Sequence, residues 1–135
     1  MRTKSFYREN QQSCRAWWNG NVNRSELLRR LVLNSMCDDY ENVDQVILPA
    51  VSRDGARFGI TVDRAEVVCV LTELVMEGLA KGYLLSGPEP AELLGMPPLD
   101  QVEEDFRTYF YITEKGMAFH RSNHTWWKKG RALLA

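Results

Sequence analysis

Residues 61–85, TVDRAEVVCVLTELVMEGLAKGYLL, decide the fold because they read as a long helix that runs directly into a strand. From Val67 onward, apolar residues recur at intervals of three and four, which predicts one broad apolar stripe along the helix. Asp63 suits the N-cap of this helix, and Gly82 is well placed behind it as a C-cap residue that takes positive φ. A strand is expected to begin at Tyr83.

Two shorter helices are predicted before this stretch. The first opens at residues 23–26 and ends near residues 38–39, with its leucines on one face. Its outer face is expected to carry Arg29, Arg30 and Asn34. The second begins at residue 42. Pro49 is expected to kink or end it unless it lies near the first turn, because proline lacks an N–H donor. Residues 52–57 are then predicted to form a turn.

A second strand and a last helix are predicted after the long helix. Residues 106–112, FRTYFYI, are rich in β-formers and should pair antiparallel with the strand that begins at Tyr83. The connection holds the breaker cluster Ser86-Gly87-Pro88-Glu89-Pro90 and spans about 20 residues, which is long enough to be either functional or mobile. Thr113 suits the N-cap of the last helix.

The charges of the chain are unevenly distributed. Residues 1–24 hold five basic residues and one acid, residues 82–105 hold six acids and no base, and residues 121–135 hold four bases and no acid. Such asymmetry bears on partners more than on fold. The length of 135 residues indicates a single domain. No secretory signal or membrane-spanning run is visible in the sequence, so a cytoplasmic protein is expected.

The predicted order of three helices, strand, loop, strand and closing helix resembles the winged helix-turn-helix superfamily, which includes many bacterial transcription regulators. Two segments carry the resemblance: residues 74–83, LVMEGLAKGY, and residues 111–116, YITEKG. The resemblance implies an α+β fold that is mainly α, with a small two-stranded antiparallel wing. It divides the chain into an aromatic and basic arm (1–22), a winged-helix domain (23–121) and a basic, tryptophan-containing tail (122–135).

In this family the third helix faces the DNA major groove and the wing reaches toward the backbone or the minor groove. The resemblance therefore implies a dimeric DNA-binding regulator. The predicted DNA contacts are the basic residues nearest the third helix: Arg53, Arg57, Arg64 and Lys81. The predicted dimer interface consists of the terminal tryptophan pairs Trp17, Trp18, Trp126 and Trp127. These tryptophans could instead pack over the core or stack on single-stranded nucleic acid.

An alternative follows from the charges of the surfaces that would face DNA. Off its apolar stripe, the third helix carries mainly Asp63, Arg64, Glu66, Thr72, Glu73 and Glu77, and the wing, residues 86–105, is acidic throughout. An acidic wing is repelled by phosphates. The alternative hypothesis is a degenerate winged helix that binds a basic protein partner through this wing.

No catalytic or cofactor motif is present in the sequence. The nucleophile elbow, the P-loop and the dinucleotide fingerprint are all missing, so an enzyme is not expected, nor is a cofactor. His120 and His124 have the spacing of a helical metal pair, but no acidic residue accompanies them, and a surface or structural role is preferred. The acids Glu103, Glu104 and Asp105 are interpreted as a solvated charge run.

Overall fold

Helices and a small antiparallel sheet build residues 22–122, the part of the chain that the computed structural model describes. The helices are α1 (Val22–Ser35), α2 (Leu48–Arg57, entered through a π-helical turn, Val43–Ile47), α3 (Arg64–Met76) and α4 (Glu114–Arg121). The strands are β1 (Ala80–Leu84), β2 (Ala91–Glu92) and β3 (Thr108–Ile112). The fold is therefore mainly α with a small antiparallel sheet, as predicted. The predicted dimer contacts Trp17, Trp18, Trp126 and Trp127 lie outside the described residues.

The sheet has three strands in the order β2-β1-β3, so the prediction of two strands was wrong. The predicted antiparallel pairing of β1 with β3 is confirmed, and Tyr83 lies directly opposite Tyr109. The extra strand forms because Ala91 and Glu92 pair with the free edge of β1. On the far side of β3, a bridge between Glu41 and Phe110 extends the sheet by one residue.

The hydrophobic core lies between the first three helices and the inner face of the sheet. Phe110 of β3, Leu28 of α1 and Leu71 of α3 are each fully buried within it. On β3 the buried residues Phe110 and Ile112 alternate with tyrosines, as expected for a strand with one face on the core. Leu99 from the β2–β3 connection also joins this core.

Pro49 does not end the second helix. It occupies the start of α2, where a missing N–H donor leaves no helical hydrogen bond unmade. The preceding π-helical turn is capped by Asn42, whose Oδ1 accepts hydrogen bonds from the backbone N–H groups of Asp44 (2.9 Å) and Gln45 (3.2 Å). As a result, residues 52–57 are helical, and the prediction of a turn there was wrong.

The exit from α3 differs from the prediction by one turn of helix. Asp63 is confirmed as the N-cap, and its carboxylate accepts from Glu66 N at 2.8 Å. The helix ends at Met76, and Gly78 takes the positive φ of 76° rather than Gly82. Gly82 lies within β1, where a Cβ would meet the Phe110 ring at 3.3 Å.

The start of α4 is fastened to the turn between α3 and β1. The Thr113 hydroxyl donates to the Gly78 carbonyl oxygen (2.6 Å) and accepts from Gly116 N (3.0 Å), which confirms Thr113 as an N-cap. Lys115 Nζ donates to the Glu77 carbonyl oxygen at 2.9 Å. Gly116 packs so closely that a Cβ there would overlap the Leu79 carbonyl oxygen. These contacts form a joint between residues that are 35 to 38 positions apart in the sequence.

Arg30 is buried, contrary to the outer-face prediction. Its residue exposure is 5%, and its guanidinium carbon lies 4.4 Å from the centre of the Phe119 ring of α4. Nη1 donates to the Phe119 carbonyl oxygen at 3.2 Å, and Nε lies 3.5 Å from the Glu26 carboxylate. The Arg30 side chain thus packs between α1 and α4 and helps hold the two helices together.

Candidate interaction surface

The third helix is buried around most of its circumference. Every residue from Glu66 to Thr72 is buried, so the predicted outer positions Glu66 and Thr72 do not face solvent. Glu66 is paired with Arg24 through two hydrogen bonds of 2.8 and 3.2 Å, and the Thr72 hydroxyl donates to the Val68 carbonyl oxygen. The buried surface of α3 is therefore wider than the predicted apolar stripe. The helix presents no continuous exposed face of groups that could read DNA bases.

Arg64, a predicted DNA contact, is held inside the molecule. Nε and Nη2 donate to the Asp44 carboxylate at 2.6 and 3.2 Å. Nη1 donates to the Leu99 carbonyl oxygen at 2.6 Å, and Nη2 to that of Gln101 at 2.8 Å. A guanidinium has five N–H donors, and four of them are used here. Presenting this side chain to a phosphate would require breaking these bonds.

The other three predicted DNA contacts lie on two elements, α2 and β1. Arg53 and Arg57 are both exposed and stand one turn apart on α2, where Arg53 Nε lies 3.2 Å from the Asp54 carboxylate. Lys81 lies on β1 and pairs with Glu92 of β2. Only Arg53 and Arg57 therefore combine exposure with a shared element.

Asp44 of the π-helical turn links the start of α3 to the β2–β3 connection. Its carboxylate accepts from Arg64 and from the Glu103 N–H at 3.1 Å, and its side chain is only 9% exposed. The hydrogen bonds from Arg64 lower the pKa of Asp44 below its usual 3.8, and the Glu103 N–H acts in the same direction, while burial opposes both. The carboxylate is thus stabilised in its charged form.

The acidic loop, residues 86–105, is tied to the rest of the molecule along its length. Near its start, the β2 pairing is extended by the Leu93 N–H, which donates to the Gly82 carbonyl oxygen at 2.9 Å. In its middle, Leu99 is 4% exposed within the core, and Arg64 binds the adjacent carbonyl oxygens. The two expectations were a functional connection or a mobile one. These contacts favour the first over the second, and a functional role stays a prediction.

Glu103 fastens the end of the acidic loop. Its carboxylate accepts from the backbone N–H groups of Arg107 (3.0 Å) and Thr108 (3.0 and 3.1 Å) and from the Thr108 hydroxyl (3.0 Å). It also accepts from Asn42 Nδ2 at 3.2 Å. The interpretation of residues 103–105 as a solvated charge run was therefore wrong for Glu103.

The remaining acids of the acidic loop face solvent. All five are exposed, and two of them have basic partners: Glu92 pairs with Lys81 and Asp105 with Arg107. Apolar side chains are exposed beside these acids: Leu94 at 100% and Val102 at 60%. An open cleft of about 360 Å³ lies against this loop between the end of α3 and β1, and its lining includes Met76, Lys81, Leu93 and Leu94.

A group of tyrosines on the outer face of the sheet was missed by the sequence analysis. Tyr40, Tyr83, Tyr109 and Tyr111 are all partly exposed. The alternation in TYFYI, residues 108–112, contains the signal, because Tyr109 and Tyr111 must face away from Phe110 and Ile112.

His120 has a structural partner. Its Nε2 lies 3.1 Å from Asn34 Oδ1, and burial, followed by the positive charges of Arg30 and Arg121, lowers its pKa. His124 lies outside the described residues. Within residues 22–122, no cluster of three or more His, Cys, Asp or Glu side chains could hold a metal ion.

Comparisons with known proteins return no relative. No family model matches the chain, and neither the curated proteins nor the solved structures contain a match. In the same described part of the chain, no helix is long and apolar enough to cross a membrane.

Proposed function

We propose that this chain is a winged helix-turn-helix protein that acts as a protein-interaction module, with the acidic loop as its docking surface for a basic partner. The proposal places the protein in the cytoplasm and gives it no catalytic role. The observation that carries it is a loop of a single charge sign that contacts the rest of the molecule along its length: residues 86–105 contain six acids and no base. Surfaces of this kind steer oppositely charged partners and set specificity.

The order of elements supports the winged-helix assignment. Three helices precede β1, the acidic loop takes the place of the wing, β3 returns beside β1, and α4 closes the chain of elements. The two segments that carry the resemblance meet at the joint of Thr113 and Gly116 with Gly78 and Leu79. A short bridge at Glu41 on the far side of β3 completes the layout.

The burial of α3 favours a protein partner over duplex DNA. Reading bases in the major groove requires exposed donors and acceptors on the inserted helix, whereas Glu66 and Thr72 are buried and Arg64 is held by Asp44. The acidic loop would approach phosphates with like charge. The same loop presents exposed Leu94 and Val102 beside its acids, and apolar contacts flanked by charge are typical of protein interfaces.

The test is binding of a dye-labelled lysine–glycine peptide to the full chain, followed by fluorescence anisotropy. The double variant Glu89→Gln/Glu104→Gln removes two exposed acids from the acidic loop. Its affinity should fall several-fold and the salt dependence of binding should weaken. The control Glu26→Gln/Glu114→Gln makes the same change in net charge on α1 and α4, and should bind nearly as the wild type does. Equal losses in both variants would contradict docking on the loop.

A dimeric DNA-binding regulator is the alternative, and the exposure of Arg53 and Arg57 on α2 favours it. In this case a labelled mixed-sequence duplex should bind with a steep dependence on salt concentration. Arg53→Gln/Arg57→Gln should then weaken binding. It should also reduce the slope of log affinity against log salt concentration by about 2, roughly 1 for each lost phosphate contact. Unchanged duplex binding in this variant would remove α2 as a DNA contact.

A further inference from the structure

The outer face of the sheet carries four partly exposed tyrosines, here called the tyrosine face: Tyr40, Tyr83, Tyr109 and Tyr111. Tyr83 and Tyr109 are direct partners across β1 and β3, and Tyr111 follows on the same face of β3. The Tyr40 ring lies edge-on to Tyr83, with centroids 4.9 Å apart, and tilted against Tyr111 at 5.0 Å. Tyr40 thus joins rings from two strands into one aromatic surface.

Carboxylates border the tyrosine face. Glu92 is the direct cross-strand partner of Tyr83, and it pairs with Lys81, which shares this face. Asp38 and Asp39 are exposed immediately before Tyr40, and Asp39 Oδ1 accepts from Tyr40 N at 2.7 Å. Glu92 and Lys81 thus neutralise each other at one edge of the face, whereas the two aspartates that directly precede Tyr40 are exposed and have no basic partner within hydrogen-bonding distance in the described residues.

The charge at the Tyr40 end also acts on its neighbour in the chain. Burial, followed by the negative charges of Asp39 and Asp38, raises the pKa of Glu41. At the opposite end, Arg107 precedes β3 and lies 3.2 Å from the Asp105 carboxylate. The Tyr40 end of the tyrosine face is thus acidic, and at the opposite end the charge of Arg107 is neutralised by Asp105.

These charges select among the ligands that aromatic surfaces bind. Bases of single-stranded nucleic acid stack on such rings, but they need a positive groove for the phosphates, and this face is bordered by acids. A proline-rich segment would use the rings and leave the carboxylates without a partner. A guanidinium group stacks on aromatic rings and pairs with carboxylates through its planar donors, so it uses both features.

We propose that the tyrosine face binds an arginine-bearing peptide segment of a partner protein, with the guanidinium against the Tyr40, Tyr83 and Tyr111 rings. The proposal deepens the proposed function, since it rests on a basic partner. It adds a second contact surface, which borders the acidic loop at Glu92 and otherwise lies outside it. The chain contains the same type of contact internally, where the Arg30 guanidinium carbon lies 4.4 Å from the Phe119 ring centre.

The test uses the full chain and dye-labelled peptides of alternating glycine with arginine, lysine or citrulline, followed by fluorescence anisotropy. Citrulline keeps the shape of arginine and removes its charge. The arginine peptide should bind most tightly, the lysine peptide about threefold or more weakly because it lacks the planar stacking group, and the citrulline peptide without measurable affinity. Equal affinity for the arginine and citrulline peptides would overturn the proposal.

Two ring variants separate stacking from hydrogen bonding by the tyrosine hydroxyls. Tyr40→Leu/Tyr111→Leu should weaken the arginine peptide by about fivefold. Tyr40→Phe/Tyr111→Phe keeps both rings and should bind as the wild type does. Unchanged affinity in the leucine variant, or an equal loss in the phenylalanine variant, would overturn the proposal. Thermal unfolding of each variant shows whether the fold is kept.

A carboxylate variant tests the proposal independently of the rings. Asp38→Asn/Asp39→Asn keeps the size of both side chains and an oxygen that can accept a hydrogen bond. It should weaken binding of the arginine peptide by about threefold or more. No change would overturn the proposal even if the leucine variant fails to fold. Tighter binding of an oligothymidylate or a proline–glycine peptide than of the arginine peptide would also overturn it.

The same peptide separates this proposal from docking on the acidic loop. A loss of affinity in the tyrosine variant with none in Glu89→Gln/Glu104→Gln supports the tyrosine face and contradicts docking on the loop. The reverse result supports the loop and overturns the tyrosine face. Losses in both variants support one continuous basic-partner site.

Discussion

Gly116 shows how a single residue can determine the packing of two elements. It lies in the first turn of α4, and a Cβ at this position would overlap the Leu79 carbonyl oxygen and lie 2.8 Å from Ile112 Cγ1. Both neighbours belong to the sheet or to its entry, so neither can move without displacing the backbone. Glycine is therefore required by close approach here, while its φ is not in the positive region.

We expect Gly116→Ala to destabilise the protein by about 2–3 kcal/mol, since overpacking against fixed backbone outweighs the gain in helix propensity. Urea unfolding of the full chain measures this loss. Gly87→Ala is the matched control, because Gly87 is exposed in the acidic loop and a Cβ there would meet nothing within 4 Å. Equal stabilities for the two variants would contradict the close-approach explanation.

The joint lies within the two segments on which the winged-helix resemblance was based. The residues that mark it, Gly78, Thr113 and Gly116, have strict local requirements: a positive φ, an N-cap hydroxyl and a site without Cβ. Such requirements leave a signature in the residue type itself. They concern packing, however, so they predict the fold without predicting what the fold binds.

At the scale of elements, predictions succeeded where the local sequence determines the structure. The caps Asp63 and Thr113 start their helices as predicted, and β1 pairs with β3. The extra strand at Ala91–Glu92 was missed because two residues show no periodicity, and only the free edge of β1 makes them a strand. The burial of Glu66 was missed because its partner, Arg24, is distant in the sequence.

The end of the acidic loop is held by one side chain. Glu103 accepts hydrogen bonds from Asn42, Arg107 and Thr108, and it replaces regular secondary structure as the means of holding the end of the loop. The adjacent Glu104 is exposed. Because the two acids have the same charge and neighbouring positions, comparing them separates the effect of the contacts from that of the charge.

Glu103→Ala should increase amide hydrogen exchange in residues 93–107 while exchange within α1 changes much less, because local opening does not require global unfolding. Hydrogen exchange followed by mass spectrometry measures both regions in one experiment. Glu104→Ala is the control and should exchange as the wild type does. Similar exchange of the loop in both alanine variants would contradict the role of Glu103.

At the scale of the whole molecule, oppositely charged groups from different elements pair with each other. Arg64 of α3, Asp44 of the π-helical turn and the N–H group of Glu103 form one polar cluster that joins three parts of the chain. The sequence suggested Arg64 as a DNA contact because it is basic and stands at the start of the third helix. Its actual role depends on Asp44, which lies 20 residues away in the sequence.

The Asp44–Arg64 pair should make the stability of the whole molecule depend on pH. Since the folded-state pKa of Asp44 lies below its usual 3.8, the pair contributes fully at neutral pH, and its contribution is lost as the pH falls through the folded-state pKa. Arg64→Gln should therefore cost about 2–3 kcal/mol of unfolding free energy near neutral pH. The difference from the wild type should shrink when urea unfolding is repeated at about pH 3.

Arg57→Gln, which alters an exposed arginine on α2, should differ from the wild type by less than about 0.5 kcal/mol at both pH values. A pH-independent cost of Arg64→Gln would show that its hydrogen bonds to the Leu99 and Gln101 carbonyl oxygens, rather than its pairing with Asp44, carry the stabilisation.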